Sequence, residues 1–200
     1  MARPRPPIIG LLLAAGRASR FRAATGRDKL VEPIPMGLPY AGIPVIAASV
    51  SALRAAVDEV IAVVDRDNAR AIGLIEALGG TALRCSSGGS GESIALGVAE
   101  RPDAAGWLIA LSDMPFIKSA TIRLVAEALA RHDLVAPTYR GRRGHPVAFG
   151  RAHGKALMKL TGDDGAKAIL AAATPHLIEV DDPGVVHDID SPDDWAMAKG

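Results

Sequence analysis

The chain contains one cysteine, Cys85, in 200 residues, which excludes an intramolecular disulfide framework. Cys85 reads as a buried thiol at the end of a strand. A charge imbalance is also missing: 23 Lys and Arg stand against 22 Asp and Glu, for a formal net charge of +1. So neutral a chain is no general polyanion binder, and nucleic acid is not an expected partner. Long apolar runs are absent too. The basic start, MARPRPP, leads into an apolar run at Ile8 that ends at Gly16 and continues directly into a loop. That argues against a signal peptide or a membrane span, and a reducing cytoplasm is the expected location. No internal repeat, low-complexity tract or linker divides the sequence. Residues 1–200 therefore read as one globular domain, consistent with 49% apolar residues.

What is present is an alternation of short apolar runs with helical spacing. Ile8–Leu13, Val60–Val64, Thr81–Cys85, Trp107–Leu111 and Leu134–Ala136 read as strands. Val45–Ala56, Ala69–Leu78, Glu92–Ala99 and Ala120–Arg131 read as the helices between and after them, the last with Ser119 as N-cap. The rhythm then changes. Tyr139–Phe149 reads as a turn-containing insertion around Gly141 and Gly144. Helices are expected at Arg151–Leu160, at Asp164–Ala172 and after Pro192, and a late strand at Leu177–Val180. This order predicts an α/β protein whose mainly parallel sheet is covered on both sides.

Three segments fall where such a sheet presents ligands, beyond the carboxyl ends of its strands. The first follows Ile8–Leu13. There Gly16 permits close backbone approach to an anion, and Arg17, Arg20, Arg22, Arg27 and Lys29 cluster behind it. A phosphate chain is the first ligand to consider, with Arg20 and Lys29 neutralising it. The loop has neither the GxxxxGK[ST] nor the GxGxxG pattern, so ATPase and nicotinamide-dehydrogenase readings lose their usual support. The second segment is Ser112-Asp113-Met114-Pro115. Asp113 there suits a Mg²⁺ ion shared with substrate phosphates, or simply starts a turn. The third, Ser86–Ser93, is a glycine-rich stretch before a helix. Its backbone and Ser93 could contact a base or ribose, or the stretch could be a connector. Further on, Arg140, Arg142, Arg143 and His145 form a cationic hairpin suited to an acidic ligand. Asp163 or Asp164 could cap a helix or contact a ligand. No Ser-His-Asp set or cluster of metal-binding histidines is visible; His132, His153, His176 and His187 read as structural or surface residues.

Together LAAGRASRF…DKL, LSDMP, RGRRGHPVAFG, TGDDGA and DIDSPDDW, in that order along almost the whole chain, resemble the MobA-like nucleotidyltransferase family. Within it the chain is most similar to the molybdenum cofactor cytidylyltransferases. The resemblance implies a three-layer α/β sandwich with a Rossmann-like, mainly parallel sheet. It also implies Mg²⁺-dependent transfer of CMP from CTP to molybdopterin cofactor, with pyrophosphate leaving. A molybdoenzyme would receive the product. Leu13, Ala14, Ala15 and Gly16 then match the nucleotide-binding strand end, and Gly91 and Ser93 the base side. Arg20 and Lys29 match the triphosphate cations, and Asp113 the catalytic, metal-binding aspartate. Asp190 of DID is similar to a second metal ligand, and Arg143, His145, Asp163 and Gly165 to acceptor contacts. Ala15, where guanylyl-transferring relatives usually have Gly, leans towards cytosine. The chain departs from the family in a longer stretch between Arg20 and Lys29, in GSGES and in Ser112 before Asp113. GMP or another NMP as the transferred group, another phosphorylated acceptor, or a non-catalytic cofactor chaperone are the alternatives.

Overall fold

The computed structural model describes residues 5–16, 18–86 and 89–197. Its first strand, β1 (Ile8–Ala14), is apolar throughout, and its side chains divide between two sides. Leu12 and Ala14 join one buried cluster, Ile9 and Leu11 another. Such a strand is stable only with helices on both faces. On the first side lie α2 (Val45–Arg54), α3 (Ala69–Ala77) and α5 (Ser119–Ala128), anchored by residues such as Val50, Ile75 and Val125. On the second lie α4 (Ser90–Glu100), α6 (Gly154–Leu157) and α7 (Lys167–Ala172), through Ile94, Val98, Leu157 and Ile169. The result is the expected three-layer α/β arrangement.

The sheet runs β3 (Thr81–Cys85), β2 (Glu59–Asp65), β1, β4 (Gly106–Leu111), β7 (Val147–Gly150), β5 (Leu134–Tyr139), β6 (Arg142–Arg143). A further strand, β8 (His176–Glu179), pairs with β5 in parallel. β3, β2, β1 and β4 are mutually parallel, so their carboxyl ends share one edge.

Several local expectations are corrected. The segment 139–149 holds the expected turn, as an exposed β5–β6 hairpin, but its end is a strand of the sheet: β7 is fully buried and enters antiparallel between β4 and β5. Four residues carry too short a pattern to disclose that pairing. The basic stretch after Gly16 contains a helix, α1 (Ser19–Thr25), whose Phe21 is buried. Gly26, at φ 70°, ends it by donating its N–H to Arg22 O at 2.8 Å, a left-handed cap that suits glycine. The expected helix over 151–160 is a 3₁₀ turn followed by the short α6, and α7 begins at Lys167 with neither Asp163 nor Asp164 capping it. The terminal helix, α8, spans Asp194–Met197. Cys85 ends β3 but is half-buried, and burial followed by the Asp65 carboxylate pushes its thiol pKa up.

Ser119 does not cap α5; it is the first helical residue and makes no capping bond. Asp182, 1% exposed, does this from a distant segment. Its Oδ2 accepts from Lys118 N at 2.9 Å and from Thr121 Oγ1 at 2.7 Å, and its Oδ1 from Gly184 N at 3.1 Å. Asp182→Ala leaves these donors unpaired, those of Thr121 and Gly184 in buried surroundings. It is expected to lower stability by about 2–3 kcal/mol, a fall in Tm of roughly 4–12 °C for a chain of this size, readable in a thermal melt.

Candidate functional site

The ends of β1 and β4 and the start of α4 enclose a cavity of about 680 Å³. Leu13, Ala15 and Gly16 from β1 and its exit, and Leu111, Ser112 and Asp113 from β4, form its floor. The two exits are tied together, since Ser112 N donates to Leu13 O at 3.1 Å. The late DID segment is stitched to the same place by Ile189 N donating to Asp113 O at 2.9 Å.

Lys29 occupies the centre of the site. It lies in a 3₁₀ turn, Lys29–Val31, that Asp28 caps by accepting from Leu30 N. Its side chain is 6% exposed, and Nζ donates to Asp113 Oδ2 at 2.8 Å, Ile189 O at 2.7 Å and Asp190 Oδ1 at 3.1 Å. Arg20 pairs with the other oxygen of Asp190. Asp194 in turn accepts from the backbone N–H groups of Asp190 and Ser191 at 2.8 and 2.6 Å, which orders the turn carrying Asp190. Two cations and two carboxylates from three distant segments thus form one network.

Of the basic cluster expected after Gly16, Arg20 and Lys29 line the cavity among the described residues. Arg17 lies outside the described residues. Arg22 sits in the last turn of α1, and Arg27 is exposed and paired with Glu32 at 3.2 Å. The longer spacing between Arg20 and Lys29 is the body of α1 with its glycine cap.

The wall opposite is made by Gly89, Ser90, Ser93 and Asp163. Ser87 and Gly88, in the same glycine-rich stretch, lie outside the described residues. Two residues expected to face a nucleotide stand behind the lining. Ala14 is packed into the core, and Gly91 N already donates to Gly162 O at 2.8 Å. Ser93 is on the lining, with its hydroxyl bonded to Gly89 O at 2.9 Å. Gly89 and Ser90, which the sequence did not mark as nucleotide contacts, are half-buried on the lining.

The four residues expected to contact an acceptor divide into two groups. Asp163 and Gly165 pack on the start of α4, with Ser90 Oγ donating to Asp163 O at 2.8 Å. Arg143 is exposed on β6, and His145 lies half-buried beside β4, its Nδ1 3.4 Å from Ile109 O. Neither lines the cavity. Burial is the largest influence on His145 and lowers its pKa, against the Ile109 contact and the Asp113 charge. Below pH 6.5, the ordinary value, the unfolded chain therefore binds a proton that the folded chain refuses. Stability is accordingly complete above that value and declines as pH falls through it. His145→Gln is expected to flatten this acid-side slope in urea midpoints measured between about pH 5 and 7.5; an unchanged slope refutes the assignment.

The donor set fits a hard divalent cation. Asp113 Oδ1 is buried and has no hydrogen-bond partner, an orphaned acceptor beside a second carboxylate. Among the described residues no group of three or more His, Cys, Asp or Glu is placed to hold a metal ion. Two carboxylates without a full protein cage match the way Mg²⁺ is held, with substrate oxygens and water completing its shell.

The model of the MobA-like NTP transferase domain matches residues 10–177. No protein of curated function matches the chain in sequence. Rv0371c from Mycobacterium tuberculosis is similar over 98% of both chains, at 25% identity and a TM-score of 0.77. A manganese complex of Rv0371c aligns over 96% of this chain and 97% of that one, at 24% identity and a TM-score of 0.70. Mth528, a nucleotidyl transferase from Methanothermobacter, shares the fold over 96% of each chain, at 23% identity and a TM-score of 0.76. CMP:2-keto-3-deoxy-manno-octonic acid synthetase in complex with CTP shares it at 14% identity over 96% of each chain, with a TM-score of 0.70.

Proposed function

We infer, from the premise that this chain belongs to the MobA-like NTP transferase family and is a nucleotidyltransferase, that it transfers CMP from CTP to the molybdopterin cofactor. The observation that carries the reading is the network of Lys29 and Arg20 with Asp113 and Asp190 beside Gly16 at the mouth of β1. It supplies cations for a triphosphate and carboxylates for a divalent ion within one cavity. A bound CTP in a synthetase of the same fold, and Ala15 at the strand exit, favour cytosine.

In this mechanism the acceptor's terminal phosphate oxygen attacks the α-phosphorus of CTP. A new P–O bond forms as the bond to the β-phosphate breaks, and pyrophosphate departs. Gly16 lets the triphosphate approach the backbone, and a Cβ there would enter open space, so the position is free for a ligand. Arg20 and Lys29 exchange part of their pairing with Asp190 and Asp113 for phosphate oxygens and neutralise the departing charge. Asp113 and Asp190 are the residues that would hold Mg²⁺, which supplies Lewis-acid neutralisation of phosphate oxygens. That a protein of similar fold, Rv0371c, has been crystallised as a manganese complex supports the use of a divalent ion. The attacking phosphate is already anionic, so no general base is required. Arg143 and His145, outside the cavity lining, are the proposed acceptor contacts.

We further take residues 1–200 as one domain working in the cytoplasm and passing its product to a molybdoenzyme. No helix among the described residues is long and apolar enough to cross a membrane. The test is incubation with molybdopterin cofactor and each of the four nucleoside triphosphates, with product mass as the readout. A CMP adduct with pyrophosphate release is the expected result. A GMP adduct moves the reading to the guanylyl-transferring branch, and no adduct with any nucleotide overturns it.

A further inference from the structure

The cavity is chemically asymmetric. Among the described residues its cations, Arg20 and Lys29, stand with Asp113 and Asp190 beyond the ends of β1 and β4. The opposite wall, at the start of α4, has no cation among its described residues and carries the carboxylate of Asp163. The backbone that carries this side chain is placed by a tightly built contact. Gly91 N donates to Gly162 O at 2.8 Å, and Ser90 Oγ to Asp163 O at 2.8 Å. Gly162 N donates to Glu92 Oε1 at 2.8 Å, closing a third bond between the same two segments. A Cβ at Gly91 would lie 2.6 Å from Thr161 O, and one at Gly89 2.6 Å from Gly162 O and 2.8 Å from Asp163 Oδ1. The 161–163 backbone is thus pressed onto the first turn of α4 at a distance only glycine allows. The Asp163 side chain makes no hydrogen bond among the described residues, and the α4 donor at Gly91 is satisfied by a carbonyl and not by this carboxylate.

Asp163 is an exposed, acceptor-only group on the cavity wall, so a ligand that covers it must offer a donor in place of water. Phosphate has none and repels it. Phosphates set against Arg20 and Lys29 would leave the nucleobase toward Asp163. We propose that Asp163 is the base-reading residue of this site, accepting from the exocyclic amino edge of the nucleobase and excluding uracil. Cytosine presents an N4 amino donor at the position where uracil presents the O4 acceptor, so a carboxylate there attracts one and repels the other. Guanine also offers donors on its pairing edge. The shared requirement is an amino-bearing base. This rests on the nucleotidyltransferase reading above but gives Asp163 a part distinct from acceptor binding.

The experiment is calorimetric titration of the full chain, with Mn²⁺ present, by CTP, UTP, GTP and 2′-deoxy-CTP, for wild type, Asp163→Asn and Asp163→Ala. Wild type is expected to prefer CTP or GTP over UTP by about 10-fold or more. Asp163→Asn, whose amide can also donate to O4, is expected to bring that ratio within about 3-fold of unity. The ratio of CTP to 2′-deoxy-CTP should stay unchanged. An intact preference against UTP in both variants overturns the proposal. So does a loss confined to the 2′-deoxy comparison, which would place Asp163 on the ribose. Preference for GTP with the same collapse supports Asp163 while overturning the CTP reading. Absence of binding by any nucleotide to wild type overturns both.

Discussion

Asp113→Asn is expected to reduce nucleotidyl transfer by about 10³-fold or more, with little change in folding. The substitution keeps the size of the side chain and one oxygen for Lys29 Nζ, which now sits 2.8 Å from Oδ2. What it removes is the negative charge and with it the buried, unpartnered Oδ1 as a ligand for a divalent ion. Phosphoryl-type transfer depends almost wholly on positioning and charge neutralisation, so losing the group that fixes the neutralising charge is felt in the transition state. The loss should therefore appear in kcat more than in KM. Steady-state pyrophosphate release, with a thermal melt as control, measures both. A variant retaining a tenth of wild-type turnover would remove Asp113 from the chemistry.

Lys29→Met tests the same network from the cationic side. The ammonium is almost fully buried, while Asp113 and Asp190 are 22% and 29% exposed. Without it two carboxylates face each other, and Ile189 O loses its donor. Breaking a buried ion pair by removing one partner costs about 3–5 kcal/mol. Partial solvation of the carboxylates reduces this to roughly 2–3 kcal/mol. Tm is expected to fall by roughly 4–12 °C in EDTA. Millimolar Mg²⁺ should recover much of that fall, because a cation then takes over between the carboxylates. Transfer itself is expected to drop by at least about 10²-fold. An unchanged melt in EDTA would mean that the ammonium does not hold the site together. Lys29→Arg is no conservative control, since a planar fork cannot make the three convergent bonds of Nζ.

Much of this site could be read in the chain before folding is considered. Gly16 after an apolar strand, and Asp113 after another, announce themselves because a buried strand and its exit are written in consecutive residues. The cavity floor follows directly. Other parts were hidden. α1 was obscured by its arginines, although Phe21 and Gly26 gave a faint signal of a short helix with a glycine stop. β7 was hidden because four apolar residues cannot reveal that they lie antiparallel between β4 and β5. Asp182 looks like any loop aspartate, yet it holds the start of α5 from a separate segment. Asp163 shows in sequence only as part of TGDDGA, and its place beside Gly89 depends on two glycines that let distant backbones touch.

Local pattern, then, established the alternating layers, the strand exits and the family motifs, because hydrophobic period and turn chemistry act over a few residues. The meeting of Lys29, Asp113 and Asp190 belongs to the folded sheet. Its order sets β4 beside β1, and the Ile189–Asp113 bond brings the late segment over both. A lysine and an aspartate 161 positions apart are then held 3.1 Å from each other. No spacing rule reaches that far. Charges choose partners by distance in space, and only the tertiary structure determines that distance.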